Sequence, residues 1–285
     1  MIIFSCPDYY GFFNLNLKLL DLFQEERVKF YDDVIIDSIY GSFPCIWNGG
    51  RFYEGGTSFG NIVATITPFI ERGISLRHTF TNCLLTEEHL NDTLCNKICE
   101  LTHSSLHGIN VNSTLLKKYL EEKYPEFYIM WSTTLCTEDL EQINFLSEKN
   151  LLVLDYNLNN NFEFLAKLKH PENIEILVCE TCIPNCPNRF DHYQNESERQ
   201  LFLHNNFYPC PWRTDQNYYT GGACTFPHYV SIDNIRQNYL PLGINKFKIM
   251  GRGRPAIEAI ENYVNYLVKP EYKDDIRMQL LAALG

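Results

Sequence analysis

Apolar runs with no helical spacing alternate with segments whose apolar residues recur at helical intervals, and this alternation repeats along nearly the whole chain. MIIFSC reads as a first strand, and residues 14 to 26 place Leu15, Leu19, Leu22 and Phe23 at i, i+4, i+7 and i+8, an amphipathic helix. DDVIIDSIYGSF predicts a strand ending near Tyr40. It is followed by a glycine-rich loop, PCIWNGGRFYEGGT, and by a helix, SFGNIVATITPFIERG, closed at Gly73. ISLRHTFTN predicts a strand ending near Asn82, and TEEHLNDTLCNKICELTHS a helix whose Thr86 and Glu88 suit its first turn.

The same reading gives the strands GINVN, FYIMWSTT and LLVLDYNLN, each followed by a helix, and a seventh strand over Ile174, Ile176, Leu177 and Val178. SIDNIRQNYLPLG reads as helical, NKFKIMGR as a strand and PAIEAIENYVNYLV as a helix, which completes eight repeats. Strand and helix units joined by mostly short connections predict a parallel sheet covered by helices. The expected fold is therefore α/β, a TIM-like (β/α)8 barrel of one domain over residues 1–285, with a cysteine-rich insertion at 179–230 and a C-terminal helix at 270–285. A doubly wound open sheet is the alternative.

Composition changes this picture little. The chain has 285 residues, 45% hydrophobic, enough for a packed core without disulfides. A formal net charge of −11 disfavours a general grip on nucleic acid and leaves a small or carrier-bound substrate, or a protein partner, as the expected ligand. Eleven cysteines with no basic n-region or long apolar stretch at the start suggest a reducing, cytoplasmic setting, and the sequons at Asn91, Asn112 and Asn195 then read as chance matches. No apolar run approaches the ~20 residues of a membrane span.

The chemistry concentrates past the seventh strand, in CETCIPNCPNRFDHY, where Pro184 and Pro187 forbid a continued sheet and leave Cys182 and Cys186 on a loop at a strand's carboxyl end. Cys210 and Cys224 also lie in irregular sequence, whereas Cys6, Cys45, Cys83, Cys95, Cys99 and Cys136 read as small core residues. The spacing C-x3-C, a long gap, C, a shorter gap, C suits a four-thiolate iron-sulfur cluster; zinc, or no metal, are the alternatives. A radical-type motif would need a cysteine where Arg189 stands, and Cys179 is a candidate surrogate ligand or a core thiol.

Residues at the strand ends should converge on one pocket: Tyr40, Asn82, Asn112, Ser132, Thr133, Asp155, Asn157, Glu180 and Lys248, with Arg51 from the WNGGR loop and Arg252 and Arg254 as a basic spot. Arg189, His192 and Tyr193 share a face if their segment is helical. His192 is then a candidate acid or base, Tyr193 a proton or hydrogen-bond donor, Arg189 an anion clamp and Glu180 a catalytic carboxylate. The alternative is a structural trio in which Arg189 pairs Asp191 or Glu180. No His-Glu-x-x-His and no Gly-x-Ser-x-Gly occurs, so zinc-peptidase and serine-hydrolase chemistry lack their motifs.

ETCIPNC with RFDHY, then C and GGAC, and FKIMGR before YVNYLV resemble the collagenase-like peptidase family U-thirty-two, which includes anaerobic ubiquinone-hydroxylation and tRNA uridine hydroxylation proteins. FKIMGR is similar to that family's lysine-isoleucine-glutamate-glycine-arginine signature, with Met250 in place of the glutamate. IDSIYGS, HTFTN and MWSTT resemble its strands, with Thr134 replacing a glutamine. The likeness runs from about Val34 to Val268. It implies a TIM-like barrel and a 4Fe-4S cluster on Cys182, Cys186, Cys210 and Cys224, and with it oxygen-independent hydroxylation or related redox chemistry. A peptidase or hydrolase, as the family title has it, and a non-catalytic metal-stapled binding module are the alternatives. The RxxHY element and the WNGGR loop mark a divergent member.

Overall fold

The computed structural model describes residues 1–211 and 226–284. Eight parallel strands, β1 Ile2–Pro7, β2 Val34–Gly41, β3 Ser75–Phe80, β4 Gly108–Val111, β5 Tyr128–Trp131, β6 Leu151–Val153, β7 Ile174–Leu177 and β8 Lys246–Lys248, pair in sequence order. β8 then closes on β1, with Ser5 opposite Lys248. The open doubly wound sheet is thereby excluded, and the barrel expected from eight repeats is the fold.

The helices are α1 Phe13–Glu25, α2 Phe59–Glu71, α3 Thr93–Thr102, α4 Thr114–Lys123, α5 Leu140–Ser147, α6 Phe162–Leu165, α7 Arg189–Gln200, α8 Ile232–Asn234, α9 Ala256–Leu267 and α10 Lys273–Ala282. Each exists for a local reason. In α1 the spacing of Leu15, Leu19 and Leu22 buries one stripe, and α2, α4 and α5 start on Ser58, Ser113 and Asp139, whose side chains accept from the backbone three residues on. The third helix begins later than its Thr86 suggested. Asp92 caps it by accepting from Cys95 N at 2.7 Å, while Thr86 instead pairs with His89 ahead of a 3-10 turn at Glu88–Asn91. The expected C-terminal helix is α10, preceded by a 3-10 turn at Pro270–Tyr272.

Most of the apolar core lies between strands and helices, where Ile39, Leu76, Ile109, Ile176 and Phe247 are fully buried. Inside the barrel a polar layer replaces it. Arg77 of β3 donates to Glu175 of β7 at 2.5 Å, Ser5 of β1 donates to the same carboxylate at 2.9 Å, and Lys248 of β8 lies 3.9 Å from its other oxygen. A buried carboxylate is tolerated only when paired in this way. Among the described residues, no helix is long and apolar enough to cross a membrane.

Candidate functional site

The chain leaves β7 at Leu177, runs through Cys179 and Glu180, and turns at Pro184 and Pro187 into α7, which lies across the carboxyl end of the barrel. Two elements strap this helix down. Asn48 and Tyr53 of the glycine-rich loop both bond Gln200, Phe52 N donates to Glu196 at 2.7 Å, and Asn82 donates to Ser197 O. The Arg199 guanidinium is sandwiched between Phe52 and Phe207, 3.9 Å from each ring centre.

Two cavities result. The smaller, about 70 Å³, sits in the barrel mouth and is lined by Tyr40, Thr79, Thr81, Asn110, Lys248 and Arg252 among others. The larger, about 300 Å³, lies under α7 and takes in Cys182, Cys186, Cys210, Arg189, His192 and Glu196. Arg51, Glu180 and Tyr193 line both, forming the wall between them.

Glu180 is fully buried against Arg51. Burial opposes its charge, but Arg51, Arg189 and the N–H groups of Thr181 and Cys182, at 2.8 and 3.0 Å, hold its carboxyl below the usual range. It is a carboxylate at neutral pH. Arg51, expected in the pocket from the WNGGR loop, is a wall of both cavities.

Arg189, His192 and Tyr193 do share a face of α7. Arg189 pairs neither Asp191 nor Glu180: its Nη1 donates to Asp155 at 2.5 Å, its Nη2 to Thr133 Oγ1 at 2.8 Å, and its Nε to the Tyr193 hydroxyl at 3.1 Å. A guanidinium so occupied holds α7 to the ends of β5 and β6 and has few donors left for a ligand. His192 stacks on Tyr208 with ring centres 5.2 Å apart and stands 3.8 Å from Glu196, half-exposed at the chamber's rim.

Of the other expected pocket residues, Tyr40, Arg51, Ser132, Thr133, Lys248 and Arg252 line the barrel pocket. Asn82 and Asp155 do not: the first ties Ile46 and Ser197 together, the second is taken by Arg189. Asn112 donates to Thr134, and Asn157 accepts from Asn185 N, bracing the cysteine loop. Arg254 lines the larger cavity and pairs Glu258 at 2.8 Å. Arg252 is committed to Asn48, Thr79 and Gly49 O, so it fastens the glycine-rich loop to β3. Thr79, Thr81 and Asn110 are pocket residues the sequence reading missed. The signal was strand parity, since Arg77, Thr79 and Thr81 alternate on one face of β3 and its extension.

Cys182 and Cys186 are within hydrogen-bonding reach of each other, and burial, with Glu180 and Cys186 adding to it, pushes the Cys182 thiol up to about 11. Cys210 is half-buried on the same cavity; Cys224 lies outside the described residues. Among the described residues no three His, Cys, Asp or Glu side chains are gathered closely enough to hold a metal ion. The donor type nonetheless suits a soft metal centre, because three thiols line one cavity whose other walls include four arginines, Arg51, Arg189, Arg199 and Arg254, beside His192, Glu180 and Glu196. Cys6, Cys45, Cys95 and Cys99 are buried as expected of core thiols, whereas Cys83 and Cys136 are only half-buried.

No protein-family model matches this chain, and comparison with curated proteins gives no match. Among solved structures, it is similar to that of the U32 peptidase Mk0906. The TM-score is 0.53 at 16% identity, over 89% of this chain and 93% of the other. The fold is thus the one found in a U32 peptidase, as the sequence resemblance implied.

Proposed function

We propose that the protein is an iron-sulfur redox enzyme on a U32-peptidase-like barrel, in which Cys182, Cys186, Cys210 and Cys224 hold a 4Fe-4S cluster. The reaction is an oxygen-independent hydroxylation, or a related redox step, on a small or carrier-bound substrate. The observation that carries this reading is that Cys182, Cys186 and Cys210 line one cavity which shares the wall Arg51, Glu180 and Tyr193 with the barrel pocket.

A bound cluster supplies one-electron chemistry. The chain's own residues supply the setting. Arg51, Arg189 and Arg199 offset the thiolates' negative charge, and α7 covers one side of the chamber. Glu180 and Arg51 face each other's charge at the passage between chambers, the Tyr193 hydroxyl is available there as a hydrogen-bond donor, and His192 at the rim is the group able to exchange a proton with solvent.

Anaerobic purification followed by iron and acid-labile sulfide analysis tests the reading. Near-stoichiometric iron and sulfide are expected in the native chain, with loss of both in Cys210→Ala and Cys224→Ala. Stoichiometric zinc without sulfide overturns it. Peptide cleavage that survives replacement of all four cysteines would replace it with the hydrolase suggested by the name of the similar structure.

A further inference from the structure

We propose that the barrel pocket binds a small aldehyde or ketone and that Lys248 captures its carbonyl carbon as an imine. The inference concerns a chamber other than the cysteine cavity and does not depend on what the cysteines hold.

Three buried side-chain atoms on this one pocket have no hydrogen-bond partner: Lys248 Nζ, Thr81 Oγ1 and Asn110 Oδ1. Buried polar atoms are nearly always satisfied, so a group of three on one cavity marks the place where a ligand completes the bonding. Lys248 keeps its ion pair with Glu175 but donates no hydrogen bond. The oxygen of Glu175 at bonding distance is taken by Arg77 and Ser5, and the ammonium stands 3.9 Å from the other oxygen and 3.6 Å from the centre of the Tyr40 ring. Burial, reinforced by Arg77 and Arg252 and opposed by Glu175, pulls this amine down to about 7. Near neutral pH a large fraction is therefore an uncharged nucleophile, the condition an imine-forming lysine needs.

The three orphaned atoms fit this chemistry better than they fit an inorganic anion. An anion would bring negative charge against the acceptor oxygen of Asn110 and leave it unsatisfied. A carbinolamine presents an oxygen that accepts from Thr81 and a hydroxyl hydrogen that Asn110 can accept. The step balances without a redox partner: the nitrogen lone pair forms the N–C bond, the C–O bond breaks, and the carbonyl oxygen leaves as one water with the two amine hydrogens. A cavity of about 70 Å³ admits a neutral compound the size of glycolaldehyde or acetone, since one water occupies ~10–15 Å³ by the same measure.

The test incubates anaerobically purified full-length protein with glycolaldehyde or acetone and cyanoborohydride, then maps the reduced adduct by peptide mass spectrometry. The expected result is an adduct at least tenfold enriched on Lys248 over every exposed lysine, absent from Lys248→Arg, and rising with pH around 7. The groups that face the amine and set that midpoint are Glu175, Arg77, Arg252 and Tyr40, with Glu180 and Arg51 at the pocket mouth. Adducts spread over exposed lysines with Lys248 unmodified overturn the proposal, and this reading of the native protein needs no variant to fold. An undiminished adduct in Cys210→Ala is also expected, which separates the fate of this pocket from that of the cysteine site.

Discussion

Arg189 and Asp155, 34 residues apart in sequence, form an ion pair of 2.5 Å beneath the cysteine chamber, with side chains 6% and 2% exposed. The pair joins the start of α7 to the end of β6, and Thr133 extends the link to β5. It is the bond that sets how the helix carrying His192 and Tyr193 sits over the barrel.

Removing one partner of such a pair strands the other charge. Arg189→Ala is expected to cost about 3–5 kcal/mol in urea unfolding. Replacing both residues by apolar ones of similar size should recover most of that loss, because the desolvation of two charges is then avoided as well. A loss below about 1 kcal/mol for Arg189→Ala would mean that the pair is screened by water and does not anchor α7.

The glycine-rich loop meets β3 backbone to backbone. A Cβ on Gly49 would lie 2.3 Å from the Thr81 carbonyl carbon and 2.4 Å from Asn82 N, atoms that no rotamer change can move. Gly49→Ala is therefore expected to displace the loop, break the Arg252 bond to Gly49 O, and lower stability by about 1–3 kcal/mol. Gly55, at φ +80 with nothing within 4 Å, is the control: alanine there should cost only the conformational ~1 kcal/mol. Thermal unfolding of the two variants side by side distinguishes steric from conformational loss.

Periodicity was enough to read the barrel, because every strand and most helices declare themselves within a dozen residues. The site was most legible where its residues sit at or just past a strand's carboxyl end, as Tyr40, Ser132, Glu180 and Lys248 do. Residues whose roles depend on distant partners were not legible. Arg189 has acidic neighbours in sequence but bonds Asp155, and Asn82 looks like a pocket residue but spends its amide on Ile46 and Ser197. Asn110 and Asn112 have the same parity at the end of β4, and only closure of the barrel decides that Asn110 lines the pocket while Asn112 donates to Thr134.

His78 is fully buried, bonded to the Tyr9 hydroxyl and to Thr102 at 2.8 Å each, and burial drives its pKa down to about 3. The unfolded chain takes up this proton below about 6.5, whereas the folded chain refuses it until about 3. Stability should therefore fall as pH drops, by about 1.4 kcal/mol per pH unit for this one group. His107, also lowered by burial, adds in the same direction. Glu175 and Glu180, held low, contribute only below about 4.5, while Asp8 and Asp155, raised by burial, act in the opposite sense above their ordinary value, so it is the difference between the native chain and a His78 variant that isolates His78. His78→Gln is expected to flatten the slope of unfolding free energy against pH between 6.5 and 4.5, and an unchanged slope would place the acid sensitivity elsewhere.

Cys179 stands three residues before Cys182 and, by sequence alone, competes for a place in the ligand set. Its surroundings differ from those of the chamber thiols. It is fully buried at the end of β7, its sulfur accepts from Met250 N at 3.2 Å, and it lines neither cavity, while Cys182, Cys186 and Cys210 are half-buried on one. A thiol that accepts from the backbone beyond β8 ties the last two strands of the barrel together. Cys179→Ala is expected to leave iron and sulfide content at the native level and to lower stability by about 1–3 kcal/mol, the cost of an unsatisfied Met250 amide. Cys182→Ala should do the reverse, removing iron with a smaller change in apoprotein stability, since its thiol is half-exposed. Metal content and urea unfolding measured on the two variants together decide the assignment: loss of iron in Cys179→Ala would put this sulfur in the ligand set and displace one of the four proposed.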